Sequence, residues 1–152
     1  MQITPRAGKR ILFGTIGVIF VIAGVAIGIR FTRGSPIKWT YYTPERFADA
    51  QRKGKIILLE FTAAWCLNCH ALEQAVLHNP RVVKLLNSET VIPIKVDITG
   101  NNPAGNEKLV EVGRRTIPYL VVYSPGRKQV FGSDAYTVEQ ITNAITKASS
   151  ER

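Results

Sequence analysis

The sequence predicts an α/β domain with a central mixed sheet flanked by helices, preceded by one N-terminal transmembrane helix. Three observations predict it. Lys55–Thr62, Val91–Ile98 and Tyr119–Tyr123 are short, nearly continuous apolar runs of the kind that form sheet strands buried on both faces. Segments of helical period separate the first two strands and close the chain. From Ile11 to Ile29 no residue is charged.

That charge-free stretch spans roughly 28 Å as a helix, close to the hydrocarbon thickness of a bilayer. Helix is the form that satisfies its backbone in lipid. The expected organisation is a tail over 1–10, an anchor over 11–30, a polar linker over 31–38 and a folded domain over 39–152. A cleaved signal peptide, with Gly24-Val25-Ala26 as the cleavage site, is the rival reading, and a buried soluble helix is a third. Arg6, Lys9 and Arg10 precede the stretch, and Arg30 and Arg33 follow it. With both flanks basic, the positive-inside rule barely decides orientation. A short tail is easily kept in the cytoplasm, which puts the domain outside.

In the domain, Thr43-Pro44 opens a helix, with Thr43 as N-cap and Pro44 at the first helical position. Phe47 and Ala50 form its apolar side, and Gly54 stops it. After the strand Lys55–Thr62, a helix runs from Cys66 to Leu77, with Cys69, Leu72, Ala75 and Val76 expected to face inward. Asn79-Pro80 begins a short helix through Leu86. Val91–Ile98 is the second strand, and Pro93 argues for an irregular start. Asn101–Gly105 is a loop and Asn106–Val112 a helix closed near Gly113. Tyr119–Tyr123, a turn at Ser124–Arg127 and Gln129–Gly132 make a hairpin. Thr137–Ala148 is the last amphipathic helix, using Val138, Ile141, Ala144 and Ile145. The order β-α-β-α-β-β-α gives parallel strands first and an antiparallel hairpin after them.

The chain carries a formal charge of +9, five of which flank the apolar stretch. The remaining mild excess forms no basic run, so nucleic acid is not an expected partner. The two cysteines, Cys66 and Cys69, cannot build a multi-bridge scaffold. No second pair exists to complete a zinc site, and His70 and His78 are poor substitutes. No metal or other cofactor is expected.

The pair lies between an apolar strand and a helix. Cys66 at the helix start faces unpaired amides and the positive end of the helix dipole, which favour a thiolate. Cys69, one turn on, is within disulfide reach and suited to resolve a mixed disulfide. Cys66-Leu67-Asn68-Cys69-His70 also satisfies the C-x-x-C-H pattern of covalent haem attachment. A second axial ligand would then have to be Met1 or His78. On the redox reading, His70 is an exposed first-turn residue whose partial charge helps the Cys66 thiolate.

Phe61-Thr62-Ala63-Ala64-Trp65-Cys66-x-x-Cys69 resembles the active-site segment of the thioredoxin family, and Thr116-Ile117-Pro118 is similar to its cis-proline segment. His78–Val82 and Val96–Thr99 resemble the C-terminal domain of the DsbD group in particular. The likeness runs from about Trp39 to Ile145 and implies a thioredoxin fold. It implies that Cys66 attacks, that Cys69 resolves, and that Glu60 and Glu73 move protons for Cys69. It implies that Trp65, Ile117 and Pro118 line the groove for a partner chain, which adds as a strand at Ile117. Glu60 could instead be an acid paired with a lysine, Glu73 a solvated residue, Pro118 an ordinary trans proline and Trp65 simple packing. Leu67-Asn68 stands where thioredoxin itself has Gly-Pro, so its redox potential does not carry over.

The resulting expectation is a membrane-anchored thiol–disulfide oxidoreductase of the bacterial inner membrane. Its domain would face the periplasm or cell exterior and reduce disulfide-bearing proteins. DsbD-group proteins carry a large membrane domain, whereas this chain has one candidate span. A separate membrane or thioredoxin-type protein would therefore supply electrons. A non-catalytic binding module on the same fold is the alternative, and a haem protein the third.

Overall fold

The computed structural model describes residues 35–151. The expected tail and anchor lie outside the described residues. No helix among the described residues is long and apolar enough to cross a membrane.

Five strands form one sheet in the order β1-β3-β2-β4-β5. They are β1 (Thr40–Tyr41), β2 (Ile56–Thr62), β3 (Val91–Asp97), β4 (Tyr119–Tyr123) and β5 (Gln129–Ser133). β1, β3 and β2 run parallel, and β4 and β5 continue antiparallel. β2 is buried at every residue because it is central and covered on both faces. The two-residue β1 was not expected from the sequence; so short a run carries no periodic signal.

Pro93 does not break β3, which is continuous and pairs with β2 at Leu58. Pro93 shares its direction along the strand with Lys95, whose carbonyl accepts from Tyr42 on the β1 side. Pairing with β1 begins only at Ile94, so the missing donor faces a place where no strand needs it.

The helices are α1 (Pro44–Arg52), α2 (Leu67–Leu72), α3 (Pro80–Leu86), α4 (Pro103–Glu111) and α5 (Val138–Ser150). α1 starts as expected, with Thr43 Oγ1 accepting from the Arg46 amide. Gly54 and Gly113 follow α1 and α4 at φ +60° and +79°, a conformation that favours glycine. α4 begins at Pro103, three residues before the expected start, because Asn102 caps it through the Gly105 amide at 2.9 Å. α5 carries a capping box between Thr137 and Gln140.

Phe47 and Ala50 of α1 and Leu109 of α4 pack with Ile57, Leu59 and Phe61 on one face of the sheet. Val82 and Leu86 of α3 and Ile141, Ala144 and Ile145 of α5 pack with Ile56 and Leu58 on the other. Alternation along β2 therefore turns Glu60 toward the α3/α5 face. Ile37, expected in the linker, is buried in that face. The Asn87 side chain holds the segment, donating to the Pro36 carbonyl and accepting from the Lys38 amide, both at 2.9 Å.

α2 continues as one π-helical turn, Glu73–Leu77, closed by the His78 amide donating to the Glu73 carbonyl at 2.9 Å. The inward set differs from the expected one and follows the i, i+4, i+7, i+8 stripe from Cys69. Cys69, Glu73, Val76 and Leu77 are buried, whereas Ala75, expected inside, is exposed.

Candidate active site

β2 ends at Thr62, and a three-residue connection delivers the chain to Cys66, the N-cap of α2. The Cys66 amide donates to the Ala63 carbonyl at 3.0 Å, which turns the chain into the helix. Cys66 Sγ accepts from the Cys69 amide at 3.2 Å. It takes the place of a Ser or Asp oxygen at an N-cap, where backbone donors and the helix dipole favour negative charge. The two cysteines are joined as a disulfide, with Cα atoms 5.3 Å apart. Cys69 is only 1% exposed, so Cys66 is the sulfur nearer the surface.

Trp65 and Leu67 flank Cys66 and are 63% and 82% exposed. Large apolar side chains left in solvent on both sides of one sulfur make a surface suited to another protein. The side chain of Trp65 therefore does not belong to the core. Ile117 packs with Ile98 against the buried group Ala63, Cys66 and Cys69. The Ile117–Pro118 peptide is cis. Because Tyr119 pairs with Phe61, Pro118 stands opposite the end of β2 and beside the connection to Cys66.

The two acids lie on the α3/α5 side. Glu60 is 2% exposed, and neither carboxylate oxygen has a hydrogen-bond partner among the described residues. Lys95, its register partner on β3, holds Nζ 3.6 Å from Glu60 Oε2 and donates to Glu73 Oε1 at 2.8 Å. The ammonium also lies 4.6 Å from the centre of the Trp39 ring. Burial pushes the Glu60 carboxyl up to about 8; the Lys95 charge opposes this and the Glu73 charge adds to it. Tyr136 is raised too, by burial first and then by the charges of Glu60 and Glu73. Glu73 is not the solvated helix residue that its position allowed. It is buried one turn after Cys69 and ion-paired, with His78 Nε2 at 3.6 Å.

The structure thus brings Cys66, Cys69 and Ile117 into one cluster and joins Glu60 to Glu73 through Lys95. Sequence reasoning missed Lys95, although it is the one charged residue in the apolar run Val91–Val96. It also missed Tyr136, and it saw Thr99 only as the end of a segment with a family likeness, without a role. His70 Nε2, the nitrogen a haem reading needs, lies 3.1 Å from the Ala64 carbonyl, and Cys69 is buried. Among the described residues, no group of three or more His, Cys, Asp or Glu is arranged to hold a metal.

A mixed five-stranded sheet, a Cys-x-x-Cys pair at a helix start and a cis-proline segment beside it define a thioredoxin-fold domain. The chain belongs to the thioredoxin-like family, whose model matches residues 38–125. It is homologous to "Thiol:disulfide interchange protein DsbD 1" of Pseudomonas aeruginosa, 26% identical over 152 aligned residues. That match covers 83% of this chain but only 25% of the relative. Among solved structures, the fold is similar to a thioredoxin from Thermus thermophilus, with TM-score 0.60 and 21% identity over 75% of this chain and 88% of that one. It is also similar to the reduced DsbD C-terminal domain of Neisseria meningitidis, with TM-score 0.54 and 20% identity over 74% and 100%.

Proposed function

We propose that this protein is a membrane-anchored thiol–disulfide oxidoreductase that reduces disulfides of extracytoplasmic proteins. The observation that carries the reading is Cys66 Sγ seated as the α2 N-cap between exposed Trp65 and Leu67. The Cys66 thiolate attacks a substrate disulfide, forming a mixed disulfide and expelling one substrate thiolate, which takes up a proton. Cys69 loses its proton and attacks Cys66 Sγ. The internal disulfide forms, the second substrate thiol leaves, and two electrons have passed to the substrate. Glu60, protonated up to about pH 8, and Glu73 exchange protons with Cys69, with Lys95 holding the two carboxylates together. Trp65, Ile117 and Pro118 seat the substrate chain.

The similarity to a thiol:disulfide interchange protein supports disulfide exchange, and the reducing direction and the periplasmic side are part of the proposal. A separate membrane or thioredoxin-type donor returns the electrons. The apolar stretch 11–30 supports a single-pass anchor in the bacterial inner membrane.

Insulin reduction by the full chain tests the activity. It is expected to vanish in Cys66→Ser, and Cys69→Ala is expected to accumulate a mixed disulfide that names the substrate. A wild-type chain that leaves insulin oxidised, together with a Cys69→Ala variant that traps nothing, would leave a binding module instead.

A further inference from the structure

The backbone of Ala64, two residues before the attacking sulfur, is gripped at both its amide and its carbonyl by side chains. Its amide donates to Thr99 Oγ1 at 2.7 Å, and its carbonyl accepts from His70 Nε2 at 3.1 Å. A carbonyl cannot donate, so Nε2 is the protonated nitrogen of that ring. The two side chains come from different places: Thr99 follows β3, and His70 lies in the first turn of α2.

Thr99 is itself fixed. Its hydroxyl donates to Asp97 Oδ1, and its amide donates to the same oxygen at 2.8 Å. With its proton committed to a carboxylate, Oγ1 is left as an acceptor aimed at Ala64, and the charged end strengthens the chain of bonds. The order reaches further, because Asn102, the α4 N-cap, donates to the Asp97 carbonyl at 2.8 Å.

We infer that Thr99 and His70 are positioning residues for the exchange at Cys66, clamping the Ala64 backbone between the end of β3 and the first turn of α2. This rests on the exchange reading and adds to it the residues that hold the reacting sulfur in place. The connection Ala63–Trp65 has no sheet partner of its own beyond Thr62. Two outside side chains fix its path, and its path sets where Trp65 stands and whether Cys66 Sγ meets the Cys69 amide. Loosening it lowers the fraction of Cys66 held as a capped, accessible thiolate, which is the species that reacts.

The test is the rate at which iodoacetamide alkylates Cys66 in the reduced full chain at pH 7, measured beside thermal stability. Thr99→Val, which keeps the shape and removes the hydroxyl, is expected to slow alkylation about fivefold, the worth of one hydrogen bond. Thr99→Ser, which restores the hydroxyl, is expected to return the rate to that of wild type. His70→Gln, which keeps a donor, is expected to outpace His70→Leu. Wild-type rates in Thr99→Val and His70→Leu, or a Thr99→Ser variant as slow as Thr99→Val, would overturn the clamp even if Tm fell. A wild-type chain that reduces no insulin yet shows this ranking of rates overturns the exchange reading and supports the clamp.

Discussion

Glu60 holds its proton well above the ordinary carboxyl range. Its carboxyl titrates near 8 in the folded chain, against 4.5 when solvated, because burial penalises the anion more than Lys95 relieves it. Between those two values the folded protein holds a proton that the unfolded chain has released. Stability attributable to Glu60 is therefore complete below about pH 4.5 and lost as the pH rises toward about 8. The slope is bounded by about 1.4 kcal/mol per pH unit. Glu60→Gln cannot titrate, so its Tm, followed from pH 5 to pH 8 at constant ionic strength, is expected to fall less steeply than that of wild type. Parallel curves would show that Glu60 does not hold this proton. The acid itself was legible in the sequence, as a charge inside an apolar strand. Its alternatives, proton carrier or lysine partner, were not separable there, and in the structure Glu60 faces a lysine without being neutralised by it. Thr99 and Tyr136 were illegible because their roles depend on a hydrogen bond to Ala64 and on proximity to two acids, both made by the tertiary fold.

Elements were readable where the pattern was long. β2, β4 and α5 declare themselves through continuous apolar runs or a clear helical period, and caps such as Thr43 and Thr137 mark the starts of α1 and α5. The π turn at Glu73–Leu77 was not readable, since one residue more per turn is invisible to a 3.6-residue period over so short a segment. Ala75 lies outside for a simpler reason: six residues after Cys69, it falls on the far side of the helix even at the ordinary 3.6-residue period. At β5 the legible feature was a turn signal, and the hidden one is the space at Gly132. A Cβ there would lie 2.5 Å from Tyr119 Oη and 2.7 Å from Gln129 Nε2. Gln129 is flexible, but the Tyr119 ring is buried and packed beneath Arg114, which is itself paired with Asp134. Tyr119 directly follows Pro118. Gly132→Ala therefore presses on the element that positions the cis-proline segment, with an expected loss of about 1–3 kcal/mol, typical of overpacking. Urea titration reads that loss, and insulin reduction is expected to slow with it. An unchanged midpoint would mean that the β4–β5 edge gives way freely.

At the scale of the whole domain, the sheet and its two helical layers are joined mostly by apolar contact, and Lys95 is one of the polar exceptions, as Lys108 is on the other face. Its ammonium meets Glu60 on β2, Glu73 on the helix carrying both cysteines, and the ring of Trp39 ahead of β1. One cation thus links the central strands, the reactive helix and the start of the domain. Replacing it by Met preserves the apolar stem and removes only the charge. Two carboxylates would then face each other in a site that is almost dry. No cation then offsets the burial of these acids, and that penalty eases as the pH falls. Lys95→Met is therefore expected to lose about 3 kcal/mol at pH 7, the loss expected when one member of a buried ion pair is removed, and less at pH 5. Adding Glu73→Gln to Lys95→Met removes one of the repelling acids and is expected to recover part of the loss. Full additivity of the two substitutions in urea titrations would show that Lys95 and Glu73 are not coupled. Because Glu73 lies on the helix that carries both sulfurs, the same cycle, read by insulin reduction, separates effects on the proton path from effects on folding. A variant that is restored in stability but still slow would locate the proton traffic at this cation.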